Sequence, residues 1–175
     1  HQPGVAGREP GARQPLSSSS GASARGCPAG RPLLDEARQS FRGFRGLPLG
    51  GVLVADGQGN VGAVEKMIAE IKKLTAQPIK YVVICSEHGD HTAGNSELPK
   101  DVTYIIHPNS KAILDRQSAS AKKAPLWTLP SNADIVSDKK SYKLGGEEFQ
   151  VLFLGRAHTG GDLAVYLPKE KVLFL

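Results

Sequence analysis

Short apolar runs alternate with amphipathic stretches from residue 51 onward. The apolar run 51–55 predicts a strand, and the turn residues that follow it include Asn60, a suitable helix N-cap. The apolar positions after Asn60 recur on one helical face: Val61, Val64, Ile68, Ile71 and Leu74. Pro78 ends that helix, and residues 79–85 form a second apolar run. Strand, helix and strand in this order predict a βαβ unit with parallel strands.

The second half of the chain continues this alternation and then becomes rich in β-type patterns. A strand is predicted over 102–106, a helix over 108–116 and a surface loop over 117–131. The loop carries Trp127, which is expected to anchor it by packing, with a substrate-pocket wall as the alternative. The later predicted strands cover 134–136, 141–144, 148–154, 164–167 and 172–175. The pattern predicts an α/β (α+β) fold with helices on one face of a sheet that packs against another sheet.

Residues 1–47 differ in composition from the predicted domain, residues 48–175. The segment is rich in Arg, Gly, Pro and Ser, and we expect it to be a disordered arm with at most a short helix near 33–44. An acidic surface is one possible partner for the arm, and a linker or non-native extension explains its composition better. A third interpretation is an imperfect gene product, in which the arm is read from non-coding sequence.

Charge and cysteine content narrow the choice of partners. The first fifty residues hold seven Arg against three acidic residues, whereas the remainder holds fifteen basic against fourteen acidic residues. The folded part is therefore nearly neutral, and no nucleic-acid partner is predicted. Only Cys27 and Cys85 are present, which does not indicate a disulfide framework. No apolar stretch is long enough to span a membrane and no signal peptide is visible, so the compartment is left open.

The candidate chemistry is concentrated where the second strand ends. His88, Asp90 and His91 lie within four residues there, and a tight loop can turn all three side chains inward. His158 lies in a second Gly-rich loop, and the two loops can meet at one edge if their strands share a layer. His and Asp are ligands that zinc prefers, so the pattern predicts a metal site. Asp56, at the end of the first strand, is expected beside it as an acceptor for a histidine N–H or as a loop anchor.

Other polar residues near these positions are expected to have ordinary roles. His1 and His107 are interpreted as surface or hydrogen-bonded core residues. Cys85 belongs to the apolar run and is expected to be a small buried hydrophobe rather than a thiolate ligand. Glu87 is expected to face solvent, with an acid/base role as the alternative.

Three segments resemble motifs of the metallo-β-lactamase superfamily. Residues 83–95, which contain Ser-Glu-His-Gly-Asp-His, resemble its zinc-binding signature His-x-His-x-Asp-His at a strand end. Residues 52–57 are similar to its first motif, an apolar strand that closes in Asp. Residues 155–168 resemble its third motif, which contains a metal-binding His. The resemblance covers about residues 47–175.

The resemblance implies an αββα sandwich with one or two metal ions, usually zinc and sometimes iron, at one edge of the two sheets. His88 and His158 would bind the first metal, and Asp90 and His91 the second, with Asp90 also catalytic. Three further residues would surround these ligands: Asp56, Ser86 and Thr159. The implied reaction is metal-assisted hydrolysis of a small-molecule ester, thioester, lactam or phosphodiester.

The chain departs from the family pattern in two ways. Ser86 occupies the position of the first signature histidine, and its hydroxyl is a poor zinc ligand. The chain also stops at Leu175, before the position of the family's bridging acidic ligand and last histidine, so we expect a sandwich that is incomplete at the C-terminus. Each metal would keep two protein ligands, which predicts weak metal binding and little or no hydrolysis. A non-catalytic binding module with the same fold is the alternative function.

Overall fold

A computed structural model describes residues 50–123 and 127–175. The predictions for the arm, residues 1–47, and for a helix near 33–44 lie outside the described residues.

The first sheet is parallel and contains four strands in the order β1-β2-β3-β4. Its strands are β1 (Val52–Ala55), β2 (Ile79–Val83), β3 (Thr103–Ile106) and β4 (Asp134–Ile135). The helices between them are α1 (Val61–Leu74), α2 (Gly89–Thr92) and α3 (Pro108–Ser120). The predicted βαβ unit is therefore confirmed, because β1 and β2 pair in parallel on either side of α1 in the chain.

The two long helices begin at well-formed caps. The Asn60 side chain accepts a hydrogen bond from the Ala63 backbone N–H at 2.9 Å, as an N-cap should. Helix α3 begins with Pro108 at its first position and continues to Ser120, one turn beyond the predicted end at 116. Within the part of the chain that the structure describes, no helix is long and apolar enough to cross a membrane.

The second sheet is an antiparallel meander of four strands in the order β5-β6-β7-β8. Its strands are β5 (Lys139–Leu144), β6 (Glu147–Leu152), β7 (Ala164–Leu167) and β8 (Val172–Phe174). A tight turn joins β5 and β6, with Gly145 and Gly146 at φ values of 60° and 86° that favour glycine. Strand β5 begins two residues before its predicted start at 141 because two exposed lysines pair with β6.

Two hydrophobic clusters define the layers. Val52 and Val54 pack with buried residues of α1 and α3, whereas Leu53 points the other way and packs with residues of the second sheet. The parallel sheet is thus buried on both faces, by helices on one side and by the antiparallel sheet on the other. Trp127 packs on the helix-side cluster, with its ring centroid 5.2 Å from that of Tyr104. This contact favours the interpretation of Trp127 as an anchor of its loop.

Candidate metal centre

The first histidine loop begins where β2 leaves the sheet. Beyond Val83 the chain stays buried through Glu87, and the Ile84 backbone N–H donates to the Ile105 carbonyl at 2.9 Å. His88 precedes the short helix α2, and its carbonyl accepts a hydrogen bond from the Thr92 hydroxyl at 3.0 Å. The extended backbone followed by one helical turn presents His88, Asp90 and His91 outside the core.

Asp56 connects β1 to this loop. Its backbone has a φ of 71°, in the left-handed region that Asp tolerates better than most residues. One carboxylate oxygen accepts a hydrogen bond from the Cys85 backbone N–H at 3.2 Å, and the other accepts from the His91 ring Nδ1–H. Asp56 therefore anchors the loop and also fixes the orientation of the His91 imidazole.

His88 and His158 meet although they are 70 residues apart. The distance between His88 Nδ1 and His158 Nε2 is 3.3 Å, and both rings are exposed to solvent. Their loops follow β2 and β6, which belong to different sheets, so the condition of a shared layer is not met. The loops meet because the sheets are stacked, and the Leu163 N–H donates to the Cys85 carbonyl across the stack at 3.0 Å.

Asp90 and His91 form a second pair at the mouth of the site. His91 Nε2, the ring nitrogen that faces away from Asp56, lies 3.5 Å from Asp90 Oδ2. The Asp90 side chain is 78% exposed. The structure therefore brings the four predicted metal ligands together as two pairs, one of distant residues and one of neighbouring residues.

Ser86 and Thr159 adjoin these ligands. Ser86 is buried, and its hydroxyl lies 3.5 Å from the His88 backbone nitrogen, at the long limit of a hydrogen bond. The Thr159 N–H donates to the Asp162 carboxylate at 2.6 Å, and the Thr159 hydroxyl contacts the same carboxylate. Asp162 thus closes the loop that carries His158.

A cleft of about 510 Å³ lies against these residues. Polar groups are contributed by Asp56, Ser86, His91, His158 and Asp162. The remaining lining is largely apolar: Cys85, Leu154, Gly155, Ala157, Leu163, Ala164 and Leu175. A mostly apolar cleft with a few convergent polar groups is typical of a small-molecule site.

Burial and neighbouring charges shift several pKa values in the cleft. Burial raises the pKa of Asp56, and its contact with His91 offsets only part of that rise. The hydrogen bond to Asp56 raises the pKa of His91 despite partial burial. Burial would raise the pKa of Asp162, but the hydrogen bonds from the Thr159 hydroxyl and backbone outweigh it, so the pKa is lowered. Burial, followed by the charges of Asp56 and Asp162, raises the pKa of Cys85 to about 12.

The geometry of the two pairs fits metal ligation. Two ligands that bind one ion tetrahedrally at about 2.0–2.2 Å lie roughly 3.3–3.5 Å from each other. His88 and His158 are 3.3 Å apart, and His91 and Asp90 are 3.5 Å apart. No group of three or more His, Cys, Asp or Glu side chains that could hold a metal ion occurs within residues 50–123 and 127–175. The described residues therefore bring the predicted ligands together only in pairs.

Polar residues outside the predicted ligand set also surround the site. The prediction that Glu87 faces solvent is wrong, because the residue is only 3% exposed and its carboxyl group is hydrogen-bonded. Asp162 was not predicted as a site residue, although a carboxylate three residues after Thr159 in a Gly-rich loop was a usable signal. His107 is confirmed as a hydrogen-bonded core residue, since it is buried and accepts from the Asn109 N–H at 3.1 Å. Cys85 is confirmed as a small buried residue, since it is 8% exposed and belongs to the hydrophobic cluster between the two sheets.

Known proteins resemble this chain in sequence. No family model matches the chain. The metallo-β-lactamase IND-1 of Chryseobacterium indologenes is 30% identical over 112 residues, which cover 62% of this chain and 42% of that protein. The α subunit of the 2,4-dinitroanisole O-demethylase of Nocardioides sp. (strain JS1661) is 23% identical over 100 residues, covering 57% and 29% respectively. The chain thus spans less than half the length of these curated relatives.

Solved structures resemble it in fold. The crystal structure of metallo-β-lactamase IND-7 has a TM-score of 0.57 at 25% identity and covers 73% of this chain and 54% of that one. The sec-alkyl sulfatase PisA1 has a TM-score of 0.54 at 15% identity, with coverages of 73% and 26%, which shows a shared fold. The fold and the sequence similarity support membership of the metallo-β-lactamase superfamily. The similar proteins at 25% identity or more named here are metallo-β-lactamases, which supports a metal-dependent hydrolase family.

Proposed function

We propose that this chain contributes to a metal-dependent hydrolytic site, with zinc as the metal and iron as the alternative. The observation that carries the proposal is the spacing of the His88–His158 pair, 3.3 Å between ring nitrogens at the edge of a substrate-sized cleft. Two imidazole nitrogens at this distance are suited to sharing one ion. His91 and Asp90 would hold a second ion in the same way.

A bound zinc ion would supply Lewis-acid chemistry and lower the pKa of water towards neutrality. The chain's own residues prepare the site for it. Asp56 accepts the Nδ1–H of His91, which leaves Nε2 of the same ring free to face an ion. Asp162 keeps the His158 loop closed through Thr159 and adds a negative charge to the cleft wall.

The substrate is proposed to be a small molecule with a hydrolysable bond in an ester, thioester, lactam or phosphodiester. The apolar walls at Leu154 and Leu163 would take up the non-reacting part of such a molecule and exclude water from it. The polar groups in the cleft lining would face the bond that is cleaved. The relatives act on chemically diverse molecules, so the fold does not select one class.

Metal binding by the described residues is proposed to be weak, because each pair offers two ligands and Ser86 replaces the first signature histidine. Zinc titration of the metal-free protein against a chromophoric chelator tests this. We expect weak binding that is reduced in His88→Ala and in His158→Ala, which leave the His91–Asp90 pair intact, and unchanged in a His1→Ala control. Equal zinc binding by all three variants would refute a site at the His88–His158 pair. About one tightly held zinc per chain, lost on His88→Ala, would refute the prediction that binding is weak.

A non-catalytic binding module is the second candidate, and Ser86 is the observation that favours it. The Ser86→His variant distinguishes the two functions in a hydrolysis assay with lactam, thioester and phosphodiester substrates. Hydrolysis that appears with bound zinc supports the enzyme. A folded, zinc-loaded variant that hydrolyses none of these substrates supports the binding module.

A further inference from the structure

Glu87 places a carboxyl group in the interior immediately behind the two histidine loops. The residue is 3% exposed, although acidic side chains are rarely buried without partners. Its Oε2 atom accepts a hydrogen bond from the Ser110 hydroxyl at 2.8 Å and lies 3.1 Å from the Thr159 hydroxyl oxygen, within hydrogen-bond distance. Both donors are themselves buried. One oxygen atom thus joins segments that are 23 and 72 residues away in the chain.

The two donors lie on elements that pack tightly against each other. Ser110 is in the first turn of α3, and its hydroxyl also lies 3.0 Å from the Gly161 carbonyl oxygen. The Asn109 side chain donates to the Gly160 carbonyl at 2.7 Å. A Cβ atom at Gly161 would lie 2.3 Å from the Ser110 hydroxyl oxygen and 2.9 Å from its backbone nitrogen. The start of α3 therefore fixes the loop that carries His158, and only glycine fits this approach.

We propose that Glu87 is a positioning residue that sets the separation of His88 and His158. Glu87 directly precedes His88, and its partner Thr159 directly follows His158. The contact between the Glu87 and Thr159 side chains therefore links the two loops at positions that directly adjoin His88 and His158. Ser110 adds a rigid support from α3, because its hydroxyl contacts both Glu87 and the His158 loop. The role at a metal rests on the proposed function, whereas the positioning of the two rings does not.

Removal of the carboxyl group releases the link between the loops, because the Ser110 hydroxyl then keeps only the Gly161 carbonyl and the Thr159 hydroxyl only the Asp162 carboxylate as acceptors among the described residues. Loss of a group that orients ligands typically costs 10–100-fold in metal affinity. We therefore expect Glu87→Ala to bind zinc about 10–100-fold more weakly. Glu87→Gln keeps an acceptor oxygen in the same place and is expected to restore most of the affinity. Glu65→Ala, which removes an exposed carboxylate on α1, is the matched control and should bind as the wild type does.

The decisive measurement is made on the metal-free protein. Nuclear Overhauser contacts between the ring protons of His88 and His158 report their separation without any metal or substrate. We expect these contacts in the wild type and in Glu87→Gln, and their loss in Glu87→Ala while the contacts of the two cores persist. Cobalt(II) titration provides a second readout, because its visible spectrum changes when the ligand arrangement changes.

Each outcome decides one of the two proposals. A folded Glu87→Ala that keeps the ring contacts overturns the positioning role, whatever the metal affinity of the wild type. A wild type that shows the ring contacts and binds no metal overturns the metal site and leaves the positioning role intact. If Glu87→Ala does not fold, Ser110→Ala and Thr159→Val decide, since each removes one hydroxyl donor. Weakened ring contacts in both support the role, and unchanged contacts in both refute it.

Discussion

Replacement of Ser86 by histidine is expected to strengthen zinc binding. Ser86 is 7% exposed and lines the cleft beside His158, two residues before His88. Its hydroxyl lies 3.5 Å from the His88 backbone nitrogen, at the long limit of a hydrogen bond, so little is lost when it is removed. An imidazole at this position can extend into the cleft and add a third nitrogen to the His88–His158 pair.

The magnitude follows from the number of ligands and the space available. Structural zinc sites with four ligands bind with about 10–16 kcal/mol, or roughly 2.5–4 kcal/mol per ligand. An imidazole at this nearly buried position is crowded by its neighbours, which costs about 1–3 kcal/mol. If the ring turns away in the metal-free protein, zinc binding has to offset this cost. About 1–2 kcal/mol remains for Ser86→His, which corresponds to a roughly five- to thirtyfold lower Kd.

Zinc competition titration of the metal-free Ser86→His variant measures this change. Ser96→His, which adds an imidazole at an exposed position after α2, is the control and should leave the Kd unchanged. Circular dichroism confirms that both variants fold. A folded Ser86→His variant that binds zinc no more tightly than the wild type would show that position 86 does not face the histidine pair.

Three further predictions concern thiol reactivity, core packing and a surface charge in the domain. The Cys85 thiol, with its pKa raised to about 12, should resist alkylation by iodoacetamide at pH 8 in the folded protein and react once it is unfolded in urea. Ile105→Ala, between the two sheets, should lower the free energy of unfolding by about 2–5 kcal/mol in urea titrations, whereas Ile135→Ala at a half-exposed position should cost less than about 1 kcal/mol. The Asp134 carboxylate, whose pKa is lowered by Lys140 despite partial burial, should stabilise the fold above its unfolded pKa of 3.8 and lose this effect as the pH falls through the lower folded value. Asp134→Asn should therefore be slightly less stable at pH 7, by under about 1 kcal/mol, and equal to the wild type in acid.

The elements of the fold could be predicted because their signals are local. The helix after Asn60 has a cap, one apolar face and a proline beyond its end, and all of these lie within twenty residues. The start of β5 was predicted two residues too late because its signal is not local. Lys139 and Lys140 are exposed and carry no apolar signal, and their strand character comes from pairing with β6. Pairing across a hairpin is decided by the partner strand as much as by the sequence itself.

The burial of Glu87 could not be predicted from its neighbours in the chain. A glutamate after a strand is usually exposed to solvent. Glu87 is buried because its carboxyl group contacts the hydroxyls of Ser110 and Thr159, which are far away in the sequence. Whether the loops of β2 and β6 meet also depended on the stacking of two sheets, not on a shared layer. Motif spacing thus predicted which residues come together, while the physical reason for the contact lay in the packing of distant elements.

The two ligand pairs differ in how they depend on the fold, and this difference can be tested. His91 and Asp90 are neighbours in the chain, whereas His88 and His158 come together only when both sheets are packed. A metal ion bound by the distant pair therefore binds the folded state selectively, and at 100 times its Kd it should add about 2.7 kcal/mol to the free energy of unfolding. Urea unfolding with and without zinc measures this. The stabilisation should disappear in His158→Ala and persist in Asp90→Asn, and equal stabilisation of both variants would show that zinc does not bridge the two loops.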